Sequence, residues 1–518
     1  MNRIRLAAAA AAALSVAAGG VFAAAAQPAP AAPAAVPVVP VAPATCMSIV
    51  DFFASPCQVA AYGVRFYGTL DMGFSYMTHP TPLDPLPGPG VGQFPVKNSG
   101  VRGAGFTLSP NALSFSNIGV QVAEPLGAGW RFVGQLEAGF LPTSLELGDN
   151  AGSVHENAGL TLAQQRLGAD GSGNGQFYNL LGFAGLSHDT WGTLTFGRQN
   201  NLGKDMVFAY DPMGNAFAFS YIGFFGATAG GGDTENAKTT TALKYRVNIA
   251  NWRLGAIVQL GGYDQGNASQ GMWQASAGGD LHLGPGIFSF DVMGGFTENA
   301  VSQALAGGVN AEGVGLTNVP QSLAVTLSNN TNFMATAKYV VDRLKLYAGY
   351  EWIQFAPPSD RVTSLTDESG NFLCNSASFG GSPACLVGGL PTAINVANFD
   401  FGKKVQQTVW TGFRYSFTPQ LDLAGAYYHA DFSAFGAAPS AGNGFIAGAV
   451  PEVCAVNPRA SGNCHGTADS VSFLLDWQFA AKWDTYIGTQ YTKLNGSQAN
   501  GFFVDNNWST TAGIRFRW

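Results

Sequence analysis

Ser187, His188 and Asp189 stand side by side in the chain, and they are the three residue types of an acyl-transfer triad. A triad needs hydroxyl, imidazole and carboxylate to converge, whereas neighbours on a strand point alternately to opposite faces. The run therefore reads as structure. No H-E-x-x-H, G-x-S-x-G, P-loop or dinucleotide fingerprint occurs elsewhere, and the Gly-rich stretch Gly88–Gly92 lies among prolines and reads as a loop.

The cysteines are the next candidates. They fall as close pairs: Cys46/Cys57, Cys374/Cys385 and Cys454/Cys464. A metal site would need C-x-x-C or ordered Cys/His spacing, and only His465 adjoins a cysteine. A lipid anchor on Cys46 would need an apolar lipobox, yet Pro43-Ala44-Thr45 ends a long Pro-rich leader. Many pairings are open, and the clustering favours the three local ones. Each would close a loop of about ten residues, contributing roughly 2–3 kcal/mol in the chain-entropy picture. No cofactor is implied.

The remaining chemistry is charge, and there is little of it. The chain has 25 basic and 32 acidic residues in 518, or 11% charged, against about 25% in ordinary globular proteins. Apolar residues make up 47%, which is unremarkable in size, while 68 glycines are about twice the usual share of roughly 7%. The 37 Phe, 16 Tyr and 10 Trp exclude a disordered chain. The net charge of −7 excludes a nucleic-acid binder. A helical membrane protein would show several apolar runs of about 18 residues or more, and only the N-terminus has one.

That run has a basic start at Arg3 and Arg5, an apolar stretch from Leu6 to Val21 and an Ala-rich end at Ala26. Residues 1–26 read as a secretory signal with an A-x-A-like cleavage site, preferred over a retained anchor because no basic stop-transfer flank follows. Residues 27–61 read as an Ala/Pro-rich leader carrying a Cys pair, extended at least to Thr45. Residues 62–518 form the folded domain. Export to an oxidising compartment suits the paired cysteines.

From Val64 onward the organising signal is alternation. In Val64–Tyr76, Phe66, Leu70, Met72 and Phe74 lie on one face, and Arg65, Tyr67, Thr69 and Asp71 on the other. Sixteen such segments lie near 64–76, 112–123, 130–140, 179–189, 193–200, 239–249, 252–263, 273–283, 287–297, 331–341, 344–355, 405–417, 421–432, 468–479, 482–493 and 507–518. Most run 11 to 13 residues, close to the roughly 9–11 that a tilted strand needs to cross a bilayer. Short turns alternate with long loops, and the even count with this layout predicts an all-β fold. The expected architecture is a 16-stranded antiparallel transmembrane β-barrel with short periplasmic turns and long extracellular loops. A propeller would show a blade repeat of fixed length, and none is found. A secreted sandwich would carry charge on its outward face, and the apolar face here is nearly free of it. Aromatics gather at the turn end (Trp130, Trp252, Tyr415, Phe417, Trp483, Trp518) and the loop end (Tyr350, Trp352, Phe432, Trp508), as interfacial girdles do.

Specific stretches add a family likeness. Asn117–Gln121, Pro125–Arg131 and Gln135–Phe140 together resemble the second hairpin of Gram-negative general porins. Gly182–Ser187 with Gly192–Gln199 resembles the next hairpin, and Gly513–Trp518 is similar to the terminal strand that ends on an aromatic. The likeness spans roughly residues 62–518. It implies a homotrimer of water-filled barrels in the outer membrane, each with its third long loop folded into the pore. It also implies that the terminal strand is read by the outer-membrane assembly machinery, and that lipid and lipopolysaccharide surround the barrel. The chain departs from the family at Asn117, where a lumen arginine is frequent, at the missing Pro-Glu-Phe-Gly-Gly motif, and at Trp518, where Phe is commoner.

The expected function is passive diffusion of small hydrophilic solutes and ions. The alternatives from other classes are a substrate-specific channel and an outer-membrane hydrolase. Segment 201–238 carries Asp205, Asp211, Asp233 and Glu235 among seven aromatics, so it is expected to fold inward and form the constriction. Alternation places Arg65, Asp71, Arg131, Glu137, Lys244, Arg246, Arg414 and Arg515 on the lumen wall. Arg198 is the exception: alternation puts it beside lipid with Phe196, while the family likeness puts it in the lumen, which a bulge at the strand end would allow.

Overall fold

A computed structural model describes residues 45–79, 104–140, 142–143, 145, 180–224, 238–262, 269–303, 324–359, 374–379, 382–387, 390–393, 395–398, 403–433, 465–496 and 505–518. Sixteen strands form its wall: β1 Val64–Met77, β2 Asn117–Gly127, β3 Trp130–Gly139, β4 Leu181–His188, β5 Gly192–Asn200, β6 Lys238–Ile249, β7 Trp252–Gln259 and β8 Gly271–Leu283. The second half is β9 Gly286–Gln303, β10 Ala324–Val341, β11 Leu344–Ala356, β12 Lys404–Thr418, β13 Leu421–Phe432, β14 Gly466–Ala480, β15 Trp483–Gly496 and β16 Asn506–Arg517. Each pairs antiparallel with its neighbours in sequence. β16 then returns to β1, with Thr69 opposite Arg517 and Met77 opposite Ser509. The sheet is closed, so it has no unpaired edge.

Among the described residues, three helices accompany the wall: α1 Ile49–Ala54, α2 Leu202–Tyr210 and α3 Tyr221–Phe224. Short strands also join the sheet. Gly105–Leu108 takes over the partners of β1 from Phe74 to Met77, beyond the point where β2 leaves it. The hairpin turns are tight and rely on left-handed residues such as Ala250 (φ 52°) and Asp342 (φ 47°), a conformation that short hairpin loops need.

Burial separates the two faces as the alternation predicts. On β1, Phe66, Leu70 and Phe74 are exposed while Asp71 and Ser75 are fully buried. Several boundaries differ from expectation. β2 begins at Asn117 rather than near 112, because Asp71 holds the chain before it. Its Oδ2 accepts the N–H groups of Leu113 (2.9 Å) and Ser114 (2.7 Å), and the Ser116 hydroxyl accepts the Asp71 N–H. β9 and β10 run to 18 residues each, well past the bilayer length, with a register shift between Thr297 and Ala300. Lys482 lies in the turn between Ala480 and Trp483 rather than in a strand. Phe432 is buried rather than part of the outer girdle, while Trp477 and Phe479 add exposed aromatics.

The outward face is also less uniformly apolar than the sequence pattern implies. At the loop end of β13 and β14, the Tyr427 hydroxyl donates to Asp469 Oδ1 at 2.7 Å, and His429 Nδ1 lies 2.8 Å from the same oxygen. These neighbouring polar groups hydrogen-bond to the one carboxylate, which lowers its cost beside lipid.

The Cys46–Cys57 disulfide is formed. Cys374 and Cys385 stand opposite each other in a small three-stranded sheet, and Cys454 and Cys464 lie outside the described residues. Peptide mapping without reductant is expected to yield three short intraloop links; a link between different pairs would contradict this pattern. Asp71→Ala removes the acceptor for two buried N–H groups and for the Tyr486 hydroxyl. It is expected to destabilise the barrel by about 1–3 kcal/mol, read as a lower temperature for the heat-induced gel-mobility shift.

Candidate functional site

Buried apolar residues face inward along much of the wall, from β7 to β15. Ile257 on β7, Met272 on β8, Met293 on β9 and Met334 on β10 are all buried. Their parity matches that of the charged lumen residues of the same strands: Arg253, Asp280, Asp291 and Lys338. An inward apolar patch in a water-filled barrel needs a cover, and α2 with the residues after it supplies one. Leu202, Met206, Val207, Tyr210, Met213, Ala216, Ala218, Phe219 and Ile222 join the same buried cluster as these wall residues.

Local chemistry shapes the segment. Asn201 caps α2, its side chain accepting the Lys204 N–H at 2.8 Å, as an N-cap residue should. Polar contacts then hold it to strands around the barrel. Gln274 on β8 accepts the Leu202 N–H at 2.8 Å. Lys338 on β10 donates to the Ala209 carbonyl at 3.3 Å, and the Trp410 indole on β12 donates to the Tyr210 carbonyl at 3.2 Å. Farther on, Phe219 meets Tyr486 of β15 edge to face, and the Ala218 N–H donates to the Ala112 carbonyl beside β1 at 2.8 Å. The segment thus crosses the interior.

The two described loop carboxylates do different work. Asp205 pairs with Lys244 (2.5 Å) and with Arg246, both on β6. Asp211 is 3% exposed; its carboxylate accepts the Tyr428 hydroxyl (2.6 Å) and the N–H groups of Met213 (3.2 Å) and Asn215 (2.7 Å). Burial pushes the Asp211 carboxyl up, opposed by the hydrogen bonds from Tyr428 and Ser220. It therefore organises the segment from within. Asp233 and Glu235 lie outside the described residues.

The lumen wall carries the other expected charges. Arg131 pairs with Asp189 near the turn rim. Glu137 accepts the Tyr67 hydroxyl (2.5 Å) and the Gln135 amide (3.1 Å), with Arg65 one register step from Tyr67 on the same face of β1. Arg414 faces Asp422 at 3.6 Å. Arg515 makes a two-pronged contact with Asp484 (2.9 and 2.7 Å), which Arg517 shares at 2.6 Å. Asp71 is spent on the 113–114 backbone and Tyr486. Arg253 on β7, on the lumen parity, binds Asp280 (2.5 Å) and Asp291 (3.1 Å).

Arg198 sits at a register shift between Gly197 and Gln199. It is buried and donates to the Thr240 hydroxyl at 2.9 Å, so it is withdrawn from lipid. Gly197 makes the bulge possible: its φ is 129°, and a Cβ there would fall 2.3 Å from the Gly182 carbonyl oxygen.

Ser187, His188 and Asp189 do not converge. Ser187 contacts Thr193 (2.8 Å), His188 Nδ1 accepts the Thr190 N–H (3.0 Å), and Asp189 is held by Arg131. The residues that sequence reasoning passed over are the apolar lumen positions and the anchors Gln274, Trp410 and Tyr428. Their signal was present as methionines on the polar parity of β8, β9 and β10.

Comparison with curated proteins finds no match. Among solved structures, the chain resembles an anion-selective porin from Comamonas acidovorans at 12% identity and TM-score 0.50, covering 88% of this chain and 99% of that one. It also resembles outer-membrane OmpT of Vibrio cholerae (11%, 0.49, covering 89% and 100%) and Salmonella typhi OmpF (12%, 0.44, covering 89% and 100%). The family profile for Gram-negative porins matches residues 6–434. With that match over most of its length, the chain belongs to the Gram-negative porin family, and it is an outer-membrane channel for passive diffusion of small hydrophilic solutes and ions.

Proposed function

We propose that segment 201–238 forms the constriction of this channel and that charges around it set ion preference. The observation that carries this reading is the attachment of residues 201–223 across the lumen, from Gln274 on β8 to Tyr486 on β15. Because the segment covers the apolar inner wall, the aqueous path runs past the polar remainder. It is lined there by Tyr67, Gln135, Glu137, Arg131, Arg246 and the exposed side of α2. Asp205 opposes Lys244 and Arg246, giving a local field across that path. Arg198, Asp233 and Glu235 belong to the same constriction in this reading, and Arg65, Arg414 and Arg515 line the wall around it.

We read the protein as a channel rather than an enzyme; the separate contacts of Ser187, His188 and Asp189 support that reading. We read residues 1–26 as the export signal, 27–61 as the retained leader, and the assembly as a homotrimer set in lipid and lipopolysaccharide. The aromatic end at Trp518 is the feature recognised during assembly.

Deleting Val207–Phe225 is expected to raise single-channel conductance and admit larger sugars while the barrel still folds; unchanged conductance and size cutoff would overturn the constriction. Asp205→Asn leaves Lys244 and Arg246 without their shared counter-charge. Reversal potentials in asymmetric salt should therefore shift towards anions, with little change in size cutoff. Asp211→Asn sets an amide N–H₂ against incoming donors, so it should lower the thermal transition and leave the reversal potential unchanged. A selectivity shift from that variant would show that Asp211 faces the pore.

A further inference from the structure

Segment 201–224 hides its apolar side chains against the wall, with one exception. Among its described residues, Phe208 is the one large apolar side chain left exposed, at 51%. Met206, Val207 and Tyr210 beside it on α2 are buried. An aromatic ring turned to water forgoes the gain of burial, and general passage of ions gives it no use.

Basic groups surround that ring. Lys204, one helical turn earlier, is buried and donates to Asn215 Oδ1 at 2.5 Å. Its ammonium lies over the Phe208 ring, 5.0 Å from the centre, within cation–π range, so the opposite face of the ring is the open one. Asp205, three residues before Phe208 and therefore on its side of the helix, holds Arg246 of β6. That contact engages one Arg246 nitrogen. A guanidinium carries five N–H donors, and the Arg246 side chain remains 49% exposed. Just past Phe208, Lys338 of β10 donates to the Ala209 carbonyl at 3.3 Å and lies 5.3 Å from the centre of the Tyr210 ring.

The local charge balance is positive. Asp205 stands between Lys244 and Arg246, and Asp211 is enclosed by its own loop and Tyr428. Asp291 reaches α2 through the Tyr210 hydroxyl, yet Arg253 neutralises it at 3.1 Å. An open aromatic face beside a guanidinium with spare donors suits an anion that carries a ring of its own. The ring would stack on Phe208, and the carboxylate would take charge-assisted hydrogen bonds from Arg246. A neutral aromatic could use only the first contact, and an aliphatic carboxylate only the second.

We propose that the exposed face of α2 is a binding site for small aromatic carboxylates, with Phe208 stacking the ring and Arg246 holding the carboxylate. The site rests on the reading that α2 borders the aqueous path. Binding there is weak and reversible, because a conducting site must also be left. It favours such anions over solutes of similar size that lack either the ring or the charge.

The test is single-channel recording of the full-length protein in planar bilayers, with benzoate as the probe. Acetate supplies the charge without the ring, and benzyl alcohol the ring without the charge. Benzoate is expected to interrupt the chloride current at concentrations where neither comparison solute does. Phe208→Ala should weaken that interruption roughly two- to tenfold, Phe208→Tyr should keep it, and Arg246→Gln should reduce benzoate to the level of benzyl alcohol. Each variant is first checked for the heat-induced mobility shift of the folded barrel. Phe208→Trp tests the path separately, since it should lower chloride conductance with no aromatic solute present. If it does so while benzoate acts like either comparison solute, or while Phe208→Ala binds benzoate unchanged, the site is overturned and the helix keeps its place at the path. If Phe208→Trp leaves conductance unchanged, the path reading fails and the site falls with it.

Discussion

Hydrocarbon offers no hydrogen-bond partner to a peptide group, so each N–H and C=O within the membrane must be paired inside the protein. For strands the available solution is closure, and here it is the pairing of β16 with β1. The last residue completes it: the Trp518 N–H donates to the Gly68 carbonyl at 3.0 Å, and the Gly68 N–H to the Trp518 carbonyl at 3.2 Å. Once the sheet is closed, each strand has one face to lipid and one to the lumen. The side-chain period of 2 then sorts every charge on it. The low charge content of the chain follows from that division, because about half of each strand must suit lipid.

Closure creates a second problem, since a barrel of sixteen strands encloses more space than wall side chains fill. The segment after β5 answers it, and the wall is adapted to receive that segment. Methionines, alanines, Tyr428 and Tyr486 face inward where it packs, and Lys244, Arg246 and Lys338 hold it by charge and hydrogen bonds. The contrast between Asp205 and Asp211 shows how position decides the role of one residue type. Six residues apart, one balances two basic side chains at the wall, while the other is enclosed and accepts hydrogen bonds from its own loop and Tyr428.

The fold was legible in the sequence because alternation repeats sixteen times and each strand must obey it. Boundaries were less so. The start of β2 depends on Asp71, 46 positions earlier in the chain, gathering the N–H groups of 113 and 114, and no local pattern encodes that contact. The ends of β9 and β10 extend beyond the bilayer, where no lipid-facing residue is required and Asn, Ser and Thr continue the ladder. The inward course of 201–223 was legible from its aromatics, whereas the burial of Asp211 depended on Tyr428 far away in the chain. Arg198 is a case where strict alternation misleads: a single left-handed glycine before it shifts the register. The position of hairpin 45–61 was not legible, since Phe52 and Phe53 find their partners at the opposite end of the chain.

Helix α2 borders the aqueous path inside the barrel in the proposed channel, and a single position on it tests this most directly. Phe208, 51% exposed on that helix, is the residue to probe. With Phe208→Cys in a planar bilayer, a charged methanethiosulfonate reagent should react from the aqueous phase and lower single-channel current in a discrete, thiol-reversible step. Modification of the cysteine, verified by mass, with no change in current would contradict it and place the helix away from the conducting path.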